Sequence, residues 1–151
     1  MEPHNLLMLI SLAAAARDAA AAQRAQAQAA LNAARVQLEV LHDYALDYAR
    51  RAREQLASGC DPMAQTNARA FGGRLDEAIA AQLQELQRRE QQYANADAQW
   101  RELSSRVQRL ELLAARREEA ARERARRHEQ KLTDELARTA ALRRMPLGAD
   151  K

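Results

Sequence analysis

The stretch LDEAIAAQLQELQRREQQYANADAQWRELSSRVQRL, Leu75 to Leu110, decides the fold. Its large side chains fall seven apart, at Ile79, Leu86, Tyr93, Trp100 and Val107, while Leu75, Ala96, Leu103 and Leu110 occupy an interleaved series. Two apolar positions per heptad share one side of a helix, which is the a/d seam of a coiled coil. A seam this regular has to be covered by a second helix, from this chain or from another.

The N-terminal half supplies that cover. Pro3 and Asn5 mark a helix start, and nothing interrupts the helical pattern from there to Ala57. The seam of this helix reads Leu6, Ala13, Ala20, Ala27, Ala34, Leu41 and Tyr48 on one series, and Ile10, Arg17, Arg24, Leu31, Leu38, Ala45 and Ala52 on the other. Residues 58–62 form the one internal break. Gly59 can adopt the left-handed conformation that ends a helix, and Asp61 before Pro62 is an N-cap followed by proline at the first helical position. A second helix then runs to about Met145, where Pro146 and Gly148 stop it; Gly72 and Gly73 weaken its first turns and invite a kink or fraying there. The rise per residue makes the helices about 80 Å and about 125 Å long. The expectation is an all-α chain with one coiled-coil domain over 1–151. It is a long two-helix antiparallel coiled-coil hairpin with a projecting C-terminal helix, the helices spanning about 5–57 and 62–145.

Folding the chain at Gly59 and Cys60 gives facing residues whose numbers add to about 120. Trp100 then meets Ala20, Tyr93 meets Ala27, Val107 meets Ala13, Ile79 meets Leu41, Leu75 meets Ala45 and Leu110 meets Ile10, so large groups oppose small ones along most of the seam. Arg17 and Arg24 are misfits at seam positions, expected to extend their guanidinium groups to water and leave that part of the hairpin loose. The first helix runs out near residue 115, leaving about 30 residues, or about 45 Å of helix, uncovered. In that overhang Glu118 and Arg122, and Glu123 and Arg127, are spaced for helix-stabilising ion pairs. Leu132, Leu136, Thr139 and Leu142 then form an apolar stripe with no partner in the chain, which suggests a partner protein.

Composition agrees with long helices: 30% of the 151 residues are charged and 3% aromatic, which leaves little material for a globular core. The net charge of +3 is local in origin, since residues 101–131 carry 10 basic and 6 acidic groups, whereas residues 1–100 carry 10 and 12. A lone Cys60 excludes an intrachain disulfide, and Cys60, His4, His42 and His128 have no metal-ligand spacing, so no metal or cofactor is expected. The apolar run Asn5 to Leu12 mimics the core of a signal peptide but lacks a basic leader and continues the heptad phase behind it. It is read as helix, too short to span a bilayer.

At QLEVLHDYALDY (Gln37 to Tyr48), followed by Phe71-x-x-x-Leu75-x-x-Ala78-Ile79, the chain resembles the flagellar export protein FliJ family. The tail QWRELSSRVQRLELLAARREEAARERARRHEQKLTDELARTAALRR (Gln99 to Arg144) resembles the C-terminal half of the same family, so that the likeness covers about residues 5–145 in order and layout. The resemblance implies a soluble part of the flagellar type III protein export apparatus, serving flagellum biogenesis, motility and chemotaxis. It implies a stalk-like hairpin in the pore of the hexameric flagellar export ATPase, which also handles flagellar export chaperones and contacts the cytoplasmic domain of the export gate protein. The implied location is the cytoplasm, peripherally associated with the inner face of the cell membrane at the flagellar base. The gate contact of the family matches Gln37, Leu41, Tyr44, Tyr48, Phe71, Leu75, Ala78 and Gln82, with Gln82 standing where the family often has histidine. These positions step by 4, 3, 4 on each helix and pair across the hairpin, so Leu41 and Leu75 also read as seam, while Tyr44 occupies a flanking place. For the ATPase ring, the overhang supplies Arg122, Arg126, Arg127, Leu132, Leu136 and Leu142, an apolar stripe beside local positive charge.

Catalysis is not expected: there is no glycine-rich phosphate loop, no arrangement of Ser, His and acid, and two thin helices enclose no pocket. Two other classes compete. The Arg-rich overhang suits nucleic acid, yet acids interleave it and it holds no aromatic side chain to stack on bases. A homo-oligomeric spacer would satisfy the seam between chains instead of within one.

Overall fold

A computed structural model describes residues 2–59 and 61–146. Within them lie two α-helices packed against each other, α1 (Pro3–Ala57) and α2 (Pro62–Arg144). The expected turn residue Cys60 and the stop residue Gly148 lie outside the described residues.

Helix ends follow from local chemistry. Pro3 sits at the first helical position, where a missing N–H costs nothing, and the Glu2 carbonyl accepts the N–H groups of Asn5 (3.0 Å) and Leu6 (3.2 Å). At the other end of α1, Ser58 donates its N–H to the Glu54 carbonyl and its hydroxyl to that of Gln55, and Gly59 takes φ 84°, the left-handed turn that a side chain would resist. Asp61 then caps α2, its carboxylate accepting from Met63 N–H (3.4 Å) and its carbonyl from Gln65 N–H (3.1 Å). Contrary to the kink expected there, α2 runs unbroken through Gly72 and Gly73. Neighbouring packing outweighs the roughly 1 kcal/mol that each helical glycine costs relative to alanine.

Two compact units are discernible. The larger spans Ala14–Ser105 and contains the turn; the smaller joins Met1–Ala13 to Arg106–Lys151.

In the larger unit the buried side chains are Ala20, Leu31, Ala34 and Leu75, while Tyr93, Trp100, Leu86 and Ile79 are half-buried. The helices run antiparallel: Tyr48 donates to the Ala68 carbonyl (2.7 Å), Gln82 to the Ala34 carbonyl (3.0 Å) and Arg24 to Asp97 (2.6 Å), pairs whose numbers add to about 120. All the α1 seam positions of this unit are buried or half-buried, the alanines included. A small residue on one helix lets the large residue of the other approach, and each fully buried Leu contributes about 1.5–3 kcal/mol.

Arg24 departs from expectation. Its guanidinium does not reach for water but bonds Asp97 and the Tyr93 hydroxyl (3.2 Å), and lies 4.9 Å above the Trp100 ring and 5.7 Å from that of Tyr93. Asp97 also accepts from Arg101 at 2.9 Å. An acid within reach and two aromatic faces replace part of its hydration, so this section of the seam is pinned and not loose. Arg17, also half-buried, pairs with its neighbour Asp18 (3.1 Å).

In the smaller unit, Leu6 and Ala13 of α1 and Val107 of α2 are buried, Val107 to 1% exposure. Pro3, Leu6 and Leu7 line one groove with Ala114, Arg117, Glu118 and Ala121. Cover from α1 therefore continues past residue 115, because the helix begins at Pro3. Beyond Glu123 every described residue to Pro146 is exposed.

The apolar N-terminal part of α1 is longer than Asn5 to Leu12. Alanines extend it into an 18-residue window of mean hydropathy 1.3, of which 17% is buried, so by length and composition alone α1 is apolar enough to cross a membrane.

Candidate functional site

Near the turn, three of the chain's five aromatic residues converge. The Phe71 ring lies 4.8 Å from that of Tyr48, tilted by 49°, and 6.2 Å from that of Tyr44, edge to face at 64°. Tyr48 is tied down by its bond to the Ala68 carbonyl, and a helical residue in place of Gly72 would set its Cβ 3.7 Å from the Tyr48 ring. Tyr44 has no such tether and is 54% exposed. Both Tyr44 and Phe71 stand one residue before a seam position, and in antiparallel helices residues offset in the same sense emerge on the same side. Together with Tyr48, Arg51, Ala52 and Gln55 they line an open groove.

A second groove on this unit brings Gln37 and Gln82 together with Ala30, Ala33, Ala34, Glu85 and Arg89. Gln82 does more than face outward: its amide bonds the main chain of α1 through Ala34. Hydrogen bonding from Arg88, with Arg89 adding a second donor, holds the Glu85 carboxyl at about 2, far below the usual carboxylate range. Glu85 thus stays ionised through physiological pH, and the rim of this groove keeps fixed charges.

The eight positions expected from sequence to meet the gate fall into three kinds. Tyr44, Phe71, Gln37 and Ala78 are exposed; Leu41, Tyr48 and Gln82 are half-buried; Leu75 is buried and serves the seam. Two residues that sequence reasoning missed, Val36 and Val40, are also exposed. They precede Tyr44 by eight and four, a spacing that puts all three on one ridge of α1, and that spacing was the available signal. The Arg24–Asp97 bond was missed as well, although their numbers satisfy the register.

In the smaller unit, each arginine of the expected ATPase set is paired on its own helix: Arg122 with Glu118, Arg126 with Glu123 (2.6 Å) and Glu119 (3.4 Å), and Arg127 with Glu123 (3.1 Å). Both ion pairs expected from sequence are present. Leu132, Leu136 and Leu142 are all exposed, Leu136 to 71%. Among the described residues, no group of three or more His, Cys, Asp and Glu side chains stands close enough to hold a metal ion.

The family model for the flagellar FliJ protein matches residues 1–146, essentially the whole chain. The chain belongs to the flagellar FliJ family. Comparison with curated proteins and with solved structures returns no match. Membership in the FliJ family makes the chain a component of the flagellar export apparatus, a non-enzymatic part of protein transport located in the cytoplasm near the flagellar base. The aromatic groove and the exposed leucines are therefore surfaces of a FliJ-type protein, with alternating seam and surface roles along the same two helices.

Proposed function

We propose that this chain couples the hexameric flagellar export ATPase to the export gate and to export chaperones, using separate surfaces for its partners. The ATPase ring is held by the projecting end of α2, through Leu132, Leu136 and Leu142 with Arg122, Arg126 and Arg127 beside them. The export gate's cytoplasmic domain docks on the other unit, over Tyr44, Phe71, Gln37 and Ala78, with Leu41, Tyr48, Leu75 and Gln82 supporting that face from within or beside the seam. Chaperone handling and peripheral attachment to the inner face of the cell membrane belong to the same reading.

The observation that carries it is the exposed tail of α2, a continuous helix to Arg144 that presents Leu132, Leu136 and Leu142 to solvent. A helix exposing leucines four and six residues apart gains by laying them into a partner. Replacing Leu132 and Leu136 by serine should weaken stimulation of ATP hydrolysis by the purified hexameric ATPase while circular dichroism stays near the wild-type signal, since neither side chain is buried. Unchanged stimulation by that variant would refute the assignment of the ring contact.

A further inference from the structure

One side of the smaller unit combines exposed leucines with arginines that form no ion pair among the described residues, its one acid, Glu123, being taken up by Arg126 and Arg127. On α2, Arg106, Leu113 and Ala120 repeat every seven residues, and Arg116 and Arg124 follow Leu113 and Ala120 by three and four, so all five lie along one stripe. Among the described residues Arg106 and Arg116 make no hydrogen bond or ion pair, and Arg124 donates only to the Ala120 carbonyl (3.3 Å). This contrasts with Arg122, Arg126 and Arg127, which are all paired. On α1, Leu12 stands one residue before buried Ala13, as Arg106 stands one before buried Val107. The shared offset brings Leu12 to the same side as Arg106 and Leu113, by the geometry that joins Tyr44 to Phe71. Glu118 emerges on the other side, where it shares a groove with Leu7, the residue after buried Leu6. Leu12 is 62% exposed, and Met8, one turn before it, is exposed as well.

We infer that this side of the unit binds an anionic lipid surface, Leu12, Met8 and Leu113 entering the boundary between headgroups and acyl chains while Arg106, Arg116 and Arg124 meet lipid phosphates. The inference deepens, and rests on, the reading of the chain as peripherally attached at the membrane, naming the residues and the headgroup charge that do it. Two independent features select a bilayer over a soluble polyanion. Arginines alone would suit any polyphosphate, but the leucines between them would stay wet on nucleic acid and are buried on lipid. In addition, α1 carries the apolar 18-residue window near its N-terminus, and Pro3–Ala13 holds no acidic residue to repel phosphate.

The test uses the full chain and sedimentation with vesicles of phosphatidylglycerol mixed with phosphatidylcholine, against vesicles of phosphatidylcholine alone. Wild-type protein should sediment with the anionic vesicles and hardly with the neutral ones. The Leu12→Gln/Leu113→Gln variant and, separately, the Arg106→Gln/Arg116→Gln/Arg124→Gln variant should each lose roughly tenfold or more in apparent affinity for anionic vesicles. Circular dichroism should stay unchanged, because the substituted side chains are exposed. Equal binding to neutral vesicles, absence of binding, or retention by both variants would overturn the inference. So would preference for a short RNA duplex with loss in the arginine variant only. Stimulation of the ATPase without lipid, measured on the same samples, separates the outcomes: it should survive both variants, and its absence in the wild type would count against the ATPase reading and not against lipid binding.

Discussion

Tyr44 and Arg24 show how differently a side chain off the ideal seam can be used. Tyr44 flanks the seam with its ring against Phe71 and over half its surface in water. Its truncation to alanine should cost about 1–3 kcal/mol of affinity for the export gate's cytoplasmic domain, as a buried aromatic anchor does, and little stability. Titration calorimetry against that domain is the measurement; wild-type affinity, or an equal loss of ATPase stimulation, would show that the ring only packs. Tyr48 is a poorer probe because its hydroxyl anchors the Ala68 carbonyl. Arg24 sits within the seam and is made to fit by three partners, Asp97, Tyr93 and Trp100. Hydrogen bonding to Asp97 raises its pKa further, which keeps the guanidinium charged. Exchange for lysine keeps the charge but loses the flat guanidinium that bonds Asp97 and the Tyr93 hydroxyl while lying over the Trp100 ring. The Arg24→Lys variant should therefore melt at a lower temperature than wild type, and a melting curve superimposable on wild type would leave the cluster without a structural role.

At the scale of the element, α2 tolerates what its composition argues against. Gly72 and Gly73 lie in its first turns without positive φ, and a Cβ built on Gly73 meets nothing within 4 Å. Replacement of Gly73 by alanine should raise stability by about 0.5–1 kcal/mol, through helix propensity and a less flexible unfolded chain. Chemical denaturation monitored at 222 nm would read this out, and a fall in stability would mean that the backbone there needs glycine's freedom. The adjoining aromatic face should be unaffected, since the added methyl points into open space. The cap of α2 was legible from residue types alone, since Asp61 before Pro62 at the first position needs no tertiary context to act, whereas α1 begins at Pro3, two residues before the expected start. Continuity through the glycine pair was not legible, because propensity weighs each residue against an isolated helix and ignores the seam that holds it.

For the molecule as a whole, the antiparallel pairing within one chain is the statement most exposed to test. Cysteines placed at Leu41 and Ala78, with Cys60 replaced, should be joined within a single chain by a short bis-maleimide at low protein concentration, since the register puts them across from each other. Products of doubled mass would instead indicate a seam shared between chains. Heptad spacing determined that there are two long helices, which side of each is apolar and, through the match of large with small residues, the register in which they meet, while capping and turn residues set their ends to within a few residues. These are short-range or periodic properties, carried by φ preferences and by the 3.5-residue repeat. Which seam-adjacent groups are spent inside the fold was decided only by tertiary structure: Leu75 is buried, Gln82 bonds Ala34, Arg24 finds Asp97, and Arg122, Arg126 and Arg127 are neutralised while Arg106 and Arg116 are not. A charge or an amide at a given heptad position has the same sequence whether it faces water or a partner. The outcome depends on what the opposing helix or the next turn brings within about 3 Å, and that distance is set by packing and not by periodicity.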